Sequence, residues 1–270
     1  MSYGLLKGKR GIIFGALDEN SIAWKVALQC HAEGAIFTLT NAPIALRMGE
    51  INKLAEHCGA EIIPADATSV EELEKLVTRS TEILGGKIDF ILHSIGMSPN
   101  IRKNRPYEDL NYDFYQKTLD ISALSFHKVM HVAYKLDAMN EYGSIVALTY
   151  IAAQRIFPDY TDMADAKSTL ESIARGFGYR FAKKAKVRVN TISQSPTVTT
   201  AGKGIAGFNA FIDFAEKLSP LGNATAEDCA NYCVSLFSDF TRKVTMQNLM
   251  HDGGFSSTGF THELMEQMEK

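Results

Sequence analysis

The chain has 270 residues, 46% hydrophobic and 22% charged, a balance that suits a folded globular protein and excludes a disordered one. Against 31 Asp and Glu stand 28 Lys and Arg, so the net charge of −3 gives no basic surface for a nucleic acid. The opening MSYGLLKGKR lacks the apolar stretch of a secretory signal, and no apolar run reaches bilayer length, so a cytoplasmic chain is expected.

In chain order, Arg10 to Gly15 reads as a first strand, followed by a helix over Ser21 to Glu33. Ala35 to Leu39 is a second strand. Pro43 opens a helix towards His57, with Gly59 just past its end. Glu61 to Pro64 is a short third strand. Ser69 with Glu72 three residues later predicts a capping box for the next helix, which ends near Gly85 and Gly86. Asp89 to His93 is the fourth strand. A polar loop runs from Ser94 to about Asn111, and Asn111 to Met139 is mostly helical. Ser144 to Leu148 is the fifth strand, Tyr160 to Lys184 a long helix, and Val187 to Ser193 the sixth strand. Thr225 to Phe237 is helical, and Thr245 to Met250 is a seventh strand. Strands alternating with helices predict an α/β fold. The expected form is one Rossmann-type domain over residues 1–270, with about seven parallel strands and helices on both faces. No linker divides the chain.

Cys30, Cys58, Cys229 and Cys233 form no CxxC pair, and buried structural thiols are expected. His93, at a strand end, has no spaced ligand partners and reads as structural; no metal is expected.

The first strand ends at Gly15, and a helix opens near Ser21, Ile22 and Ala23. A Gly there lets backbone approach a pyrophosphate, and the helix N-terminus offers N–H groups to the anion. The full GxGxxG fingerprint is absent, so this turn alone is a weak signal, open to reading as an ordinary βα turn. Two further strand ends strengthen it. Asp66, beside Ala67, follows the third strand, where a carboxylate can accept from an adenine amine. Ser94-Ile95-Gly96 follows the fourth, where a Gly admits the nicotinamide side. The second strand ends Thr40-Asn41 with no adjacent Arg for a 2′-phosphate, which favours NADH.

The fifth strand leads into Tyr150, and Tyr160 and Lys167 lie seven residues apart. In a helix seven steps of about 100° return to nearly the same face, with about 10.5 Å of rise. A phenol can donate to a carbonyl oxygen that becomes anionic as hydride arrives, and a Lys cation can bind the cofactor ribose and favour that charge. Either residue alone is unremarkable, a packed aromatic or a surface lysine. Their pairing beside a dinucleotide site favours catalysis.

With these residues in place, the chain resembles the enoyl-[acyl-carrier-protein] reductases of the FabI family, within the short-chain dehydrogenase/reductase superfamily. The resemblance spans nearly the full length. It is carried by Gly15 with Ser21-Ile22-Ala23, Asp66, His93-Ser94-Ile95-Gly96, Tyr150, Pro158, Tyr160, Met163, Lys167 and Pro196. The superfamily places Tyr four residues before its Lys. Here Met163 holds that position, and the longer Tyr160–Lys167 spacing resembles enoyl reductases. The run Gln194-Ser195-Pro196-Thr197-Val198-Thr199-Thr200-Ala201 is especially similar to Bacteroidetes variants.

The resemblance implies a homotetramer that uses NAD(H) to reduce trans-2-enoyl thioesters of acyl carrier protein in fatty-acid elongation. Hydride goes to the β-carbon. It places Tyr160 beside the thioester carbonyl, Lys167 on the nicotinamide ribose and Tyr150 in the substrate site. Ser94 and Gly96 lie near the cofactor, with Ile95 towards its adenine end. Thr191-Ile192 and Ser195-Pro196-Thr197 pass the nicotinamide. Met97, Ser98, Met163, Ile205 and Phe208 border the substrate. Ser195 departs from the Gly that many members carry before the Pro. Basic residues beside the mobile helix are mostly missing, and Lys183, Lys184, Lys186 and Arg188 are an alternative carrier-docking run, or a solvated helix end.

A lid is expected over about 197–218. Gly202, Gly204 and Gly207 loosen the backbone, and Phe208, Phe211, Ile212 and Phe214 form an apolar stripe. Two other functions stay open: a carbonyl-reducing dehydrogenase, opposed by Met163, and a non-catalytic dinucleotide-binding assembly module, opposed by the intact Tyr160 and Lys167.

Overall fold

Seven parallel strands run in the order β3-β2-β1-β4-β5-β6-β7. The computed structural model describes residues 2–47, 49–199 and 208–268, with only the backbone at Phe208. The strands are β1 (Arg10–Phe14), β2 (Ile36–Thr40), β3 (Glu61–Ile62), β4 (Ile88–His93), β5 (Met139–Thr149), β6 (Arg188–Gln194) and β7 (Asn248–His251). The helices are α1 (Ile22–Ala32), α2 (Pro43–Leu46), α3 (Ile51–Cys58), α4 (Val70–Ile83), α5 (Pro99–Arg102), α6 (Tyr112–Leu119), α7 (Ser125–Lys135), α8 (Thr161–Ala185), α9 (Phe208–Leu218), α10 (Ala226–Phe237) and α11 (His262–Met268).

Strand side chains alternate between two cores, as the pleat requires. Ile12, Ile91, Ile145 and Val189 face a core closed by α4, α7 and α8. Ile13, Leu92, Val146 and Ile192 face the other, closed by α1, α3 and α10. Burial on both faces explains why these strands read as continuous apolar runs. The expected single Rossmann-type sheet is thus observed. Cys30, Cys58, Cys229 and Cys233 all pack in the second core as free thiols. Burial pushes the Cys30 thiol far up and Cys58 to about 11, which disfavours the reactive thiolate.

Several boundaries depart from the pattern reading. The helix expected from Pro43 to His57 is two helices, because the chain turns at Gly49 to lie on the β1–α1 turn. A Cβ there would meet the Leu17 carbonyl oxygen, and Glu50 N–H donates to that same oxygen at 2.9 Å. The Ser69 capping box is half formed. Ser69 accepts from Glu72 N–H, but the Glu72 carboxylate takes the Asp66 N–H at 2.7 Å instead. A full box closes α10, between Thr225 and Asp228. The helix expected over Asn111 to Met139 is α6 and α7 joined by a π-helical turn at Asp120–Leu124, and β5 already begins at Met139. The seventh strand starts at Asn248 rather than Thr245, since Met246 adopts a positive φ of 58°.

No described helix is long and apolar enough to cross a membrane.

Candidate active site

Strand order reverses between β1 and β4, and in open α/β sheets the ligand crevice lies outside the carboxyl ends of the strands at such a switch point. Gly15 stands at that point with φ 95°, and a Cβ on it would lie 2.0 Å from the Ser94 carbonyl oxygen. Only glycine fits there, because both the backbone conformation and the approach to the β4 end exclude a side chain. The Ser21 hydroxyl accepts from the N–H groups of Leu17 and Asp18 and donates to the Asp18 carbonyl at 2.7 Å. It therefore shapes the turn that delivers Ile22 and the N-terminus of α1. Asp66 is half-buried, and one of its oxygens already accepts from Thr68 N–H and Oγ1. Ala67, beside it, is buried.

Beyond β4, Ser94 and Ile95 are half-buried, and Gly96 is exposed to the crevice. A Cβ at Gly96 would lie 3.7 Å from Lys167 Nζ and 3.8 Å from Met163 Cε, so these three residues share one wall. The π-helical turn contributes Ser122, whose hydroxyl accepts from Met97 N–H at 2.9 Å and donates to the Met97 carbonyl. Such turns recur where a helix is bent to serve a site. Ser98 is buried, and its hydroxyl donates to Asp162 at 2.6 Å rather than into the crevice.

Lys167 is buried in α8 and donates to the Leu148 carbonyl at 2.9 Å and the Ile95 carbonyl at 3.3 Å. It thereby spans the ends of β4 and β5. Burial pushes its ammonium down to about 8, against the pull of Glu171 one turn further along α8. Glu171 is itself buried and accepts from Thr149 Oγ1, Gln154 Nε2 and Asn248 Nδ2.

Tyr160 is not on the long helix, as the seven-residue spacing suggested. It closes a 3-10 turn over Pro158–Tyr160, and α8 begins at Thr161. Thr161 takes φ 23° and ψ −127°, a conformation that costs a β-branched residue about 1–3 kcal/mol. Tyr160 is half-buried against Tyr150, with ring centroids 5.1 Å apart, and burial raises its phenol to about 12. It remains a protonated donor at neutral pH. Burial and the Tyr160 ring also raise Tyr150, whose hydroxyl is buried without a hydrogen-bond partner.

Ser195 N–H donates to the His251 carbonyl, and its hydroxyl accepts from Ala224 N–H at 2.9 Å. Pro196 is buried and Thr197 half-buried, so this segment continues β6 along the crevice rim. Thr191 and Ile192 are buried in β6. Ile205 and the side chain of Phe208 lie outside the described residues, as do 200–207 of the expected lid. His93 pairs with Ser125 at 2.9 Å, a structural role, and burial pushes its imidazole down to about 3.

A nicotinamide dinucleotide fits the polar groups along this edge. Among the described residues seven buried side-chain atoms lack partners, and apart from Ser144 Oγ, Arg188 Nε, Asn223 Oδ1 and the structural His93 they are Thr40 Oγ1, Tyr150 Oη and Ser193 Oγ, at or just past the carboxyl ends of β2, β5 and β6. Buried polar atoms without partners are uncommon in native proteins. Their alignment along one edge suits a ligand that brings its own hydrogen-bonding groups.

The sequence profile described as "Enoyl-(Acyl carrier protein) reductase" matches residues 15–256, nearly the whole chain. The chain belongs to that family. A Rhizobium meliloti (strain 1021) protein named "Enoyl-[acyl-carrier-protein] reductase [NADH] 2" is 34% identical over 257 residues, covering 94% of each chain. The solved FabI–NADH complex from Alistipes finegoldii is 62% identical with a TM-score of 0.95, covering 96% of this chain and 92% of that one. The enoyl-[acyl-carrier-protein] reductase (NADH) of Aquifex aeolicus VF5 is 31% identical with a TM-score of 0.87, covering 95% and 100%. The Alistipes likeness bears out the resemblance to Bacteroidetes variants.

In this family member the pattern reading missed Ser122, Asp162 and Glu171. For the two carboxylates a signal was present. Asp162 and Glu171 flank the segment that carries Met163 and Lys167 and fall on the helix face that buries Met163, Ala166, Leu170 and Ala174. Ser122 had none, because a π turn leaves no mark in hydrophobic periodicity.

Arg188 corrects the proposed docking run. It is buried, and its guanidinium donates to the carbonyls of Leu236, Ser238 and Thr241. It is unavailable to a carrier protein.

Proposed function

We propose that this chain is a cytoplasmic, NADH-dependent enoyl-[acyl-carrier-protein] reductase that saturates the trans-2 double bond of enoyl thioesters, acting as a homotetramer. The observation that supports the reading is that the Tyr150–Tyr160 ring pair lies just past the end of β5, where Lys167 donates to the Leu148 carbonyl. When bound, NADH would supply the hydride that the β-carbon accepts, and a proton delivered to the α-carbon, drawn in the end from solvent, would complete the saturated thioester. Tyr160 donates a hydrogen bond to the thioester oxygen as charge moves onto it. Tyr150 lies against Tyr160, and its unpartnered hydroxyl is available to the same oxygen. Lys167 holds the ribose and adds positive charge beside the developing enolate. Gly15, Ser21 and Ile22 hold the pyrophosphate; Asp66 and Ala67, with Ile95 nearby, receive the adenine. Ser94, Gly96 and Ser195-Pro196-Thr197 border the nicotinamide.

The acyl chain lies between Met97, Met163, the paired tyrosines and a lid that includes α9. Support for the lid comes from Phe211. Its ring meets Tyr150 at 6.1 Å and Phe157 at 5.1 Å, while Ala215 and Leu218 are buried beneath the helix. The inward stripe is thus Phe211, Ala215 and Leu218, and Phe214 is 46% exposed rather than turned inward. Closure over apolar surface favours a long acyl chain.

Steady-state oxidation of NADH and NADPH with crotonyl and longer enoyl thioesters, against a ketone control, tests this reading. Turnover of the thioesters with NADH is expected, with a lower kcat/KM for NADPH. Preferential ketone turnover would support the carbonyl-reducing alternative, and no turnover of either would support a non-catalytic module.

A further inference from the structure

Asp162 is fully buried in the first turn of α8, two residues beyond Tyr160. Its carboxylate accepts four hydrogen bonds, none from a cation. One oxygen takes Ser98 Oγ at 2.6 Å and Thr161 Oγ1 at 3.2 Å. The other takes Asn100 Nδ2 at 2.8 Å and Thr118 Oγ1 at 2.7 Å, the Thr118 hydroxyl being shared with the Phe114 carbonyl at 2.9 Å. All four donors belong to residues that are themselves buried. A carboxylate taken out of water without a counter-ion persists only when its lone pairs are filled, and a helix N-terminus adds a favourable dipole.

The four donors come from different parts of the site. Ser98 caps α5 and directly follows Met97, whose peptide is gripped by Ser122. Asn100 passes the contact on to the backbone of Asn111, the cap of α6, through its own side-chain oxygen and amide. Thr118 belongs to the last turn of α6. Thr161 is the positive-φ residue that joins the Tyr160 turn to α8. One side chain therefore fastens the wall after β4, the end of α6 and the strained residue next to Tyr160.

We propose that Asp162 is a positioning residue, which sets the Tyr160 hydroxyl against the Met97–Asn100 wall by holding Thr161, Ser98, Asn100 and Thr118 on one carboxylate. The inference rests on the reading of Tyr160 as the donor to the thioester oxygen. Asp162 touches no reacting atom; it acts by fixing the turn from which Tyr160 projects. Asp162→Asn keeps the shape but replaces one acceptor oxygen with an N–H group, so at least one of the four donors loses its acceptor.

A double-mutant cycle with Tyr160→Phe, accompanied by NADH titration and hydrogen exchange on NADH-free protein, tests the proposal. Asp162→Asn is expected to lower kcat on crotonyl thioester by about tenfold or more, since small misplacements of a reacting group are costly. The Kd for NADH should stay within about twofold, and in the Tyr160→Phe background the loss should shrink to within about twofold, the mark of coupled residues. In the NADH-free protein, exchange should quicken at 97–101 and 158–164 and stay unchanged in the central strands. Should Asp162→Asn fail to fold, Thr118→Val removes one donor from the same carboxylate and carries the same cycle with a smaller loss. Equal fold losses with Tyr160 and with Phe at 160 would overturn the proposal, as would faster exchange spread across the sheet. A Tyr160→Phe enzyme as fast as its parent would show that the reading of Tyr160 had failed, and the inference would fall with it.

Discussion

Lys167 and Tyr160 serve different partners in this account, so their loss should read differently. Lys167→Ala should weaken NADH binding and turnover together, because its ammonium is assigned to the ribose. Tyr160→Phe should leave NADH binding near the parent value and lower kcat by up to about 10²-fold, the scale of one oxyanion donor. Calorimetric titration beside enoyl-thioester kinetics separates the two, and unchanged kinetics in both variants would remove them from the mechanism. The buried ammonium also sets a pH dependence. Its proton is lost as pH rises through about 8, so kcat/KM for NADH should fall on the alkaline side. Glu171 favours the cation, so Glu171→Gln should move that limb to lower pH. A limb that stays in place would contradict the coupling. That Tyr150 and Tyr160 pair near the end of β5, where Lys167 also reaches, was legible in their order after a predicted strand and in the seven-residue spacing. Asp162 and Glu171 left a fainter mark, two carboxylates among the buried positions of α8, and their donors come from elements far apart in the chain.

At the scale of elements, helix existence was legible and helix breaks were not. Apolar periodicity marked α1, α4, α8 and α10 within a residue or two. It could not mark the π turn at 120–124, the break at Gly49 or the 3-10 turn under Tyr160, because each answers a tertiary contact rather than a local preference. The same limit applied to α9, where the apolar stripe was visible but its inward face was misjudged at Phe214. Phe211 now becomes the residue that joins α9 to Tyr150. Phe211→Ala should reduce turnover of long enoyl chains more than of crotonyl thioester; equal losses would assign the ring to the fold alone. Hydrogen exchange over α9 should slow when NADH and an acyl ligand bind. High protection in the free enzyme, unchanged on binding, would contradict a lid.

Across the whole molecule, seven parallel strands bring their carboxyl ends to one edge of the sheet. Gly15, Asp66, Gly96, Tyr150 and Ser195 all follow strand ends, although 180 residues separate the first from the last. This arrangement was legible because a βα repeat with right-handed crossovers leaves few other sheets to build. This edge is expected to direct hydride to the β-carbon of an enoyl thioester, not to a carbonyl carbon. Reduction of crotonyl thioester with NADH deuterated on the transferred position, followed by mass spectrometry and NMR of the product, tests it most directly. One deuterium is expected at the β-carbon of a saturated thioester with the carbonyl intact. Deuterium on the former carbonyl carbon, with the thiol released and the double bond retained, would contradict it.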